Sequence, residues 1–120
     1  MLKKIAVAGA LLLGLTAPAV AVDGDGMFYV RGAGSYTCAR WLNAGPDERI
    51  NAEHWWAGYL TAVNRFTPDT YDELGNTSVE TMNENLTRIC QQDPSQLFAI
   101  AAHRAIEELH PTRTRKSPNR

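Results

Sequence analysis

The sequence has only two cysteines, Cys38 and Cys90, and this scarcity excludes two common uses of the thiol. Neither cysteine has a histidine or a third cysteine at ligand spacing beside it, which argues against a zinc site. The motif Cys-x-x-Cys is also absent, which argues against thiol redox catalysis. We therefore predict one structural disulfide. Closing the 51-residue gap between the two positions would stabilise the fold by about 4 kcal/mol in the chain-entropy model.

The sequence also lacks any recognisable catalytic constellation. It has no nucleophile beside a base, no paired carboxylates at a motif spacing and no cluster of metal ligands. The segment Gly32-Ala33-Gly34 has no lysine after it and is therefore no phosphate-binding loop. His54 lies on the polar face of a predicted helix, and His103 and His110 lie on the charged side of another, so we expect all three to be solvated. The expectation is a protein that is not an enzyme and holds no cofactor and no metal.

Long hydrophobic runs are absent except at the N-terminus. There Lys3 and Lys4 provide a positive start, Ile5–Leu15 an apolar run and Ala19–Ala21 a small-residue cleavage site. The run is shorter than the roughly 20 apolar residues that a membrane-spanning helix needs. We therefore expect residues 1–21 to be a signal peptide, the mature chain to be periplasmic or secreted, and no stable membrane anchor to remain.

Basic residues are scarce in most of the chain. Residues 22–120 carry 10 basic and 13 acidic side chains, a net charge of −3, and residues 22–112 carry 6 against 13, a net charge of −7. Nucleic-acid binding needs a clustered basic face, so no nucleic-acid partner is expected. We predict that residues 111–120 form a disordered basic tail. Its cations are Arg113, Arg115, Lys116 and Arg120.

The length of the mature chain predicts one domain with one core. Residues 22–34 are rich in glycine and predict a flexible, extended N-terminal arm, with at most one edge strand at Met27–Val30. Residues 35–110 have a helical periodicity of apolar residues and form the predicted bundle domain.

Two helices are predicted in the first half of the bundle. Cys38, Trp41 and Leu42 fall at i, i+3 and i+4 on a short helix that Asn43–Pro46 ends. A longer helix over Asp47–Phe66 follows, with acidic residues in its first turn, where they suit the helix dipole. Its apolar residues share one face, and they are Ala52, Trp55, Trp56, Tyr59, Leu60, Ala62, Val63 and Phe66.

Two more helices are predicted after a polar loop over Thr67–Asn76. Thr77–Glu80 matches a capping box, and the helix that it opens places Cys90 on its apolar stripe. Asp93 is predicted as the N-cap of the last helix, which ends at Pro111. With no convincing strand pair, we predict an all-α fold, a small four-helix bundle stapled by the disulfide and preceded by the extended N-terminal arm.

The apolar faces predict both a core and a binding surface. Small domains bury only about 60–65% of their unfolded surface, so some aromatic side chains stay outside. Ile100 points away from the apolar face of its helix, and Trp55 and Phe66 lie near the edge of theirs. We predict that these three side chains bind a protein partner. The predicted core consists of Trp41, Leu42, Trp56, Tyr59, Leu60, Val63, Met82, Leu86, Ile89, Phe98, Ala101, Ala105 and Leu109.

Three segments carry a resemblance to a known family. Ser35–Leu42, Gly58–Asn64 and Ile89–Asp93 resemble successive blocks of the HdeA family of periplasmic acid-stress chaperones. Those proteins have a cysteine on the first helix, a glycine-bearing second helix and a cysteine closing the third. The small disulfide-bundle immunity proteins of type VI secretion share the same outline. The chain differs from the family in its arginine-rich tail, its longer loop over Thr67–Asn76 and its higher tryptophan content.

The resemblance implies a stress-response chaperone that forms a homodimer at neutral pH, loosens in acid and covers unfolded client proteins with apolar surface. The residues are compatible with that behaviour, because several carboxylates are predicted at helix starts, where the charged form is favoured. With 13 carboxyl groups neutral and 3 histidines charged, the mature chain moves from −3 to about +13. The alternative is an inhibitor or immunity protein that captures one secreted toxin or enzyme at neutral pH. The carboxylates are Asp47, Glu48, Glu80 and Asp93.

Overall fold

The computed structural model describes residues 22–119, so the predicted signal peptide lies outside the described residues. Within that range the chain is helical with no strands, and the predicted all-α, disulfide-stapled fold is confirmed. No helix in residues 22–119 is long and apolar enough to cross a membrane. The four α-helices are α1 (Cys38–Leu42), α2 (Pro46–Phe66), α3 (Val79–Gln92) and α4 (Phe98–Leu109), and 3-10 turns cover Gly32–Ser35 and His110–Thr112.

The disulfide joins α1 to α3. Cys38 and Cys90 are bonded with their Cα atoms 4.9 Å apart, and both are fully buried. The first helix has only five residues, too few to be stable alone. It is held by the disulfide and by its N-cap Thr37, whose hydroxyl accepts a hydrogen bond from the Arg40 amide at 3.4 Å. The covalent link therefore lies in the centre of the fold.

The core lies between α1, α3 and α4, with one face of α2 packed against it. Every predicted core residue belongs to it or packs on it. Leu42, Tyr59, Val63 and Leu109 are its partly buried members. The completely or almost completely buried side chains include Met82, Leu86, Ile89, Phe98, Ala101 and Ala105.

Only part of the apolar face of α2 reaches this core. Ala52, Trp56 and Leu60 are buried, whereas Ala62 and Phe66, on the same stripe, are exposed. The helix has 21 residues against 12 in α4, so it is about 13 Å longer at 1.5 Å per residue. Its apolar stripe is therefore longer than the face that α4 can cover, and Ala62 and Phe66 stay outside the core.

The start of α3 is one residue later than predicted. Ser78 is the N-cap in place of Thr77, and its hydroxyl accepts a hydrogen bond from the Thr81 amide at 3.1 Å. Both residues are favourable caps, so the sequence pattern fits either register. The helix that follows places Cys90 on the buried side, as predicted.

The start of α4 was predicted wrongly. The helix begins at Phe98 and not directly after Asp93. The backbone between Asp93 and Phe98 is hydrogen-bonded to the start of α1, where the Gln96 carbonyl accepts from the Cys38 amide at 2.8 Å. The Phe98 amide in turn donates to the Tyr36 carbonyl at 2.7 Å. Tertiary pairing with the first helix thus takes precedence over a local helix start.

The C-terminal segment differs from the predicted disordered tail. Asp72 and Thr114 exchange two backbone hydrogen bonds, at 3.0 and 2.9 Å. The side chain of Arg113 is nearly buried and donates to the Thr70 hydroxyl at 3.0 Å. Arg115 pairs with Asp69 on the same loop. The polar loop over residues 67–76 thus supplies hydrogen-bond partners that a search for apolar docking residues does not reveal.

Candidate functional site

An apolar groove lies between α2, α4 and residues 22–31. We use the name N-terminal arm for these residues from here on, because a 3-10 turn over Gly32–Ser35 takes up the rest of the predicted arm. The groove encloses about 700 Å³. Trp55, Phe66 and Ile100, the three side chains predicted to bind a partner, all line it. The two helices therefore bring together Trp55 and Ile100, which are 45 positions apart in the sequence. We call this feature the α2–α4 groove.

Trp55 forms the floor of the groove and is held by the turn that follows the arm. Its indole nitrogen donates to the Arg31 carbonyl at 2.7 Å. The ring lies against Gly34, where an added Cβ would overlap it. Trp55, predicted at the edge of the α2 stripe, is thus half-buried and held in one position, which favours a fixed binding surface.

A row of aromatic rings connects this floor to the core. Trp55 stacks on Tyr59 with ring centroids 5.5 Å apart, and it meets the edge of Phe98 at 6.0 Å. Phe98 in turn stacks on Trp41 at 5.0 Å. Such pairs contribute about 0.5–1.5 kcal/mol beyond the area that they bury. The groove floor is therefore rigid and continuous with the core.

The rim of the groove is apolar and exposed. Phe66 is 77% exposed and Ile100 is 38% exposed. On the arm, Phe28 and Tyr29 are also exposed, the latter to 81%. Single exposed apolar residues are ordinary, but a set that faces one concave surface is typical of an interaction site.

One end of the groove is polar. The Tyr59 hydroxyl lies 2.8 Å from His103 Nδ1, and His103 Nε2 lies 3.2 Å from a Glu107 oxygen. In the neutral imidazole that fits this network, Nε2–H donates to Glu107 and Nδ1 accepts from the tyrosine. Burial, and secondarily the charge of Glu107, raises the pKa of Tyr59. The tyrosine therefore stays a phenol and acts as a hydrogen-bond donor.

His103 is exposed, as the sequence predicted, but it also takes part in two side-chain contacts. Its spacing of four residues from Glu107 is a helical i, i+4 pair that the sequence does contain. Its contact with Tyr59 crosses between helices and has no sequence signal. His54, by contrast, is exposed on α2 as expected.

A second polar cluster was missed completely. Glu73 is only 1% exposed, and its two carboxylate oxygens lie 2.9 and 3.1 Å from His110 Nδ1. Its backbone amide donates to the Asn64 side chain at 2.8 Å. His110 keeps nearly half of its side chain exposed, so it is solvated on one side as predicted and hydrogen-bonded to Glu73 on the other. The 37 positions between the two partners leave no local pattern from which to find the contact.

Asp93 holds the turn before α4. Its carboxylate accepts from the Ser95 hydroxyl at 2.6 Å and from the Ser95 amide at 3.1 Å. The hydroxyl contact, followed by the amide, lowers the pKa of Asp93.

Asp47, Glu48 and Glu80 lie in the first turns of α2 and α3, as predicted. Glu48 accepts from Arg40 at 3.0 Å, and this hydrogen bond raises the pKa of the arginine.

The chemistry of the groove is that of binding. Its walls offer apolar and aromatic contact, and its polar end offers a tyrosine donor and an imidazole. In residues 22–119, no group of three or more His, Cys, Asp or Glu side chains is placed to hold a metal ion. The site can therefore bury an apolar ligand and orient it through a few hydrogen bonds.

No family model, curated protein or solved structure matches the chain. The resemblance to the HdeA family accordingly stays a prediction. The functional proposal therefore depends on the groove and on the disulfide-linked bundle that carries it.

Proposed function

We propose that the chain is an exported, non-enzymatic binding protein that holds apolar segments of unfolded client proteins in the α2–α4 groove at low pH, as the HdeA-like chaperones do. The observation that carries this proposal is the convergence of Trp55, Phe66 and Ile100 on one apolar groove. Three separate sequence positions predicted to bind a partner meet there, on a floor fixed to the core. An apolar concave surface suits exposed apolar side chains of an unfolded chain.

The groove is also compatible with an extended backbone. Residues 28–31 of the chain's own arm run along one side of it without regular secondary structure, and the Arg31 carbonyl accepts a hydrogen bond from Trp55. Unfolded clients present the same chemistry, an extended backbone with free carbonyls and exposed apolar side chains. The arm is thus a local precedent for the kind of ligand that we propose.

Acid dependence has a physical basis at the junction of α1 and α4. The folded-state pKa of Asp93 is lowered from 3.8. A depressed carboxyl pKa contributes stability above the unfolded value, and that contribution is lost as the pH falls through the folded value. The turn that Asp93 holds contains the Gln96 carbonyl, which accepts from Cys38 at the start of α1. Acid below about pH 4 therefore weakens a contact that organises the bundle.

The disulfide supports export and explains why acid would loosen the bundle without opening it fully. Disulfides persist in oxidising compartments such as the periplasm. The buried Cys38–Cys90 bond ties α1 to α3 across 52 positions, while the rising positive charge in acid works against compaction. A loosened but stapled chain would expose apolar surface to clients.

The proposal is tested by a client-aggregation assay at pH 2–3 with a matched pair of isoleucine variants. Ile100→Ser removes a groove side chain, whereas Ile50→Ser removes one that is similarly exposed on α2, at 48% against 38%, but outside the groove. We expect Ile100→Ser, alone or with Phe66→Ser, to lose protection of the client and Ile50→Ser to retain it. Equal protection by all variants, or precipitation of the client with the unaltered protein, would reject the proposal.

The second candidate is a neutral-pH inhibitor or immunity protein. It is favoured by one observation, that the groove is already open in the folded bundle and needs no loosening. This candidate predicts a single protein partner bound in a fixed ratio at pH 7, with its activity blocked. The same isoleucine pair tests it, because the complex must be lost with Ile100→Ser and kept with Ile50→Ser.

A further inference from the structure

The N-terminal arm is a wall of the α2–α4 groove and not a part of the core. Phe28 and Val30 line the groove from the arm side. The buried core, in contrast, begins at Ala33. The groove still encloses about 700 Å³ between the arm and the helices. A ligand placed in that space would contact α2 and α4 on one side and the arm on the other.

The arm is hydrogen-bonded to the bundle only at its root. Among the described residues, the hydrogen bonds of residues 22–30 stay within the arm, such as that from the Met27 amide to the Asp23 carboxylate at 2.8 Å. The Trp55 indole donates to the Arg31 carbonyl at the root. Gly32 follows directly with a φ of +67°, a conformation that glycine adopts at little cost. Within residues 22–119, no hydrogen bond therefore has to break for residues 22–30 to shift toward a ligand in the groove.

The outer part of the arm carries unburied aromatic surface. Phe28 is 57% and Tyr29 is 81% exposed. In the free protein these rings leave apolar area in water, which costs about 25 cal/mol per Å². A ligand in the groove would cover that area and so make the arm close on it.

The size of the groove limits what the ligand is. A volume of about 700 Å³ lies within the range of roughly 300–1,000 Å³ that holds small ligands. It suits a few residues of an extended chain. A folded partner would instead need about 800 Å² of matching surface on each side.

We propose that the arm is a clasp that closes over a short, extended apolar segment of a client and presses it against Trp55 and Ile100. The clasp rests on the proposed function and adds two elements to it: the ligand class, and the part of the binding surface that the arm supplies. A segment bound in this way contacts aromatic side chains on both of its faces.

The test uses the full mature chain at pH 3 and a synthetic peptide that carries Leu-Phe-Val-Phe between Gly-Ser flanks and a rhodamine label, a dye that stays fluorescent in acid. The variant Phe28→Ser with Val30→Ser removes two apolar side chains of the arm that line the groove. The control Met27→Ser alters an arm residue that is exposed and does not line the groove. Circular dichroism and the melting temperature should be unchanged in both, because neither touches the core.

We expect the double variant to bind the peptide about tenfold more weakly or worse, which corresponds to about 1.4 kcal/mol, and Met27→Ser to bind within twofold of the unaltered chain. Bound peptide should also slow amide hydrogen exchange in residues 27–30 at the same pH, read by mass spectrometry, since the arm is then held. Equal or tighter binding by the double variant, no slowing of exchange, or no binding of the peptide to the unaltered chain would overturn the clasp. If the peptide result holds while Ile100→Ser still protects unfolded clients, the proposed function fails and the clasp stands.

Discussion

The two sides of this bundle use the same apolar residue types in opposite ways. On the disulfide side, Met82, Leu86 and Ile89 of α3 are completely buried against α1 and α4. On the groove side, Phe66 lies at the edge of the apolar stripe of α2 and Ile100 lies off that of α4, and both are exposed. Burial on the first side stabilises the fold, and exposure on the second leaves surface available for a ligand.

The difference arises from what covers each face. On the disulfide side, α1 and α4 pack directly against α3 and exclude water from its apolar stripe. On the groove side, the arm lines the space beside α2 and α4 but leaves Phe66 and Ile100 exposed. A small domain thus obtains a binding surface by leaving one face only partly covered, and substitutions on the two sides should separate stability from binding.

Removal of the disulfide should have the largest effect on the first side. Replacing Cys38 and Cys90 together by serine should lower the free energy of unfolding by about 4 kcal/mol, because a loop of 52 positions is no longer closed. Urea denaturation with tryptophan fluorescence measures it. Reduction of the unaltered protein under native conditions is the matched control and should give a similar loss. A loss below about 1 kcal/mol in both would show that the core does not depend on the bond.

Glu73 tests whether the loop and the C-terminal turn belong to the stable side. Glu73→Gln should cost about 1.5–3 kcal/mol, because a charge-assisted hydrogen bond to His110 is replaced by a neutral one at a buried position. Thermal unfolding measures the cost. The exposed carboxylate Glu84, replaced in the same way, is the control and should leave stability within about 0.5 kcal/mol. Equal behaviour of the two variants would contradict the burial of Glu73.

Gly34 tests whether Trp55, the floor of the groove, rests on the turn over Gly32–Ser35. Gly34→Ala should destabilise by about 1–3 kcal/mol, because its Cβ would overlap the Trp55 ring and the turn has to shift. The displaced indole should also show red-shifted emission. Gly58→Ala on α2 meets no atom within 4 Å and should be neutral or stabilising by up to about 1 kcal/mol. Unchanged emission in Gly34→Ala would mean that Trp55 does not rest on this turn.

Asp93 should give the smallest effect and the only one with a pH signature. Asp93→Asn should lower the melting temperature slightly at pH 7, since the lowered pKa of Asp93 means that the folded state favours its charged form. The difference between the two proteins should shrink as the pH falls below about 4, because the aspartate is then protonated in both the unfolded and, at lower pH, the folded state. A difference that stays constant from pH 7 to pH 2 would show that the charge of Asp93 is not involved.

Much of the fold was predictable because it is local and periodic. The long apolar stripe of α2 and the position of Cys90 on α3 follow from 3.6-residue spacing alone. The start of α4 was not predictable in this way, because the Gln96 carbonyl accepts a hydrogen bond from the first residue of α1. Asp93 does accept hydrogen bonds as an N-cap would, but they stabilise a turn before the helix.

The candidate site was predictable in its members and not in its shape. Trp55, Phe66 and Ile100 stood out as apolar residues at the edge of a stripe or off it. Their convergence depends on helix packing and on the arm, which no periodicity encodes. The contacts of His103 with Tyr59 and of His110 with Glu73 join distant positions by single hydrogen bonds, and such contacts leave no trace in a sequence.

The most direct test of client binding in the α2–α4 groove is site-specific photo-crosslinking at pH 2–3. A photoreactive amino acid is placed at Ile100 in one protein and at Ile50 in another, and each is irradiated with an acid-denatured client. Cross-linking from position 100 and little or none from position 50 is the expected result. Equal cross-linking from both positions, or none from position 100, would contradict binding in the groove.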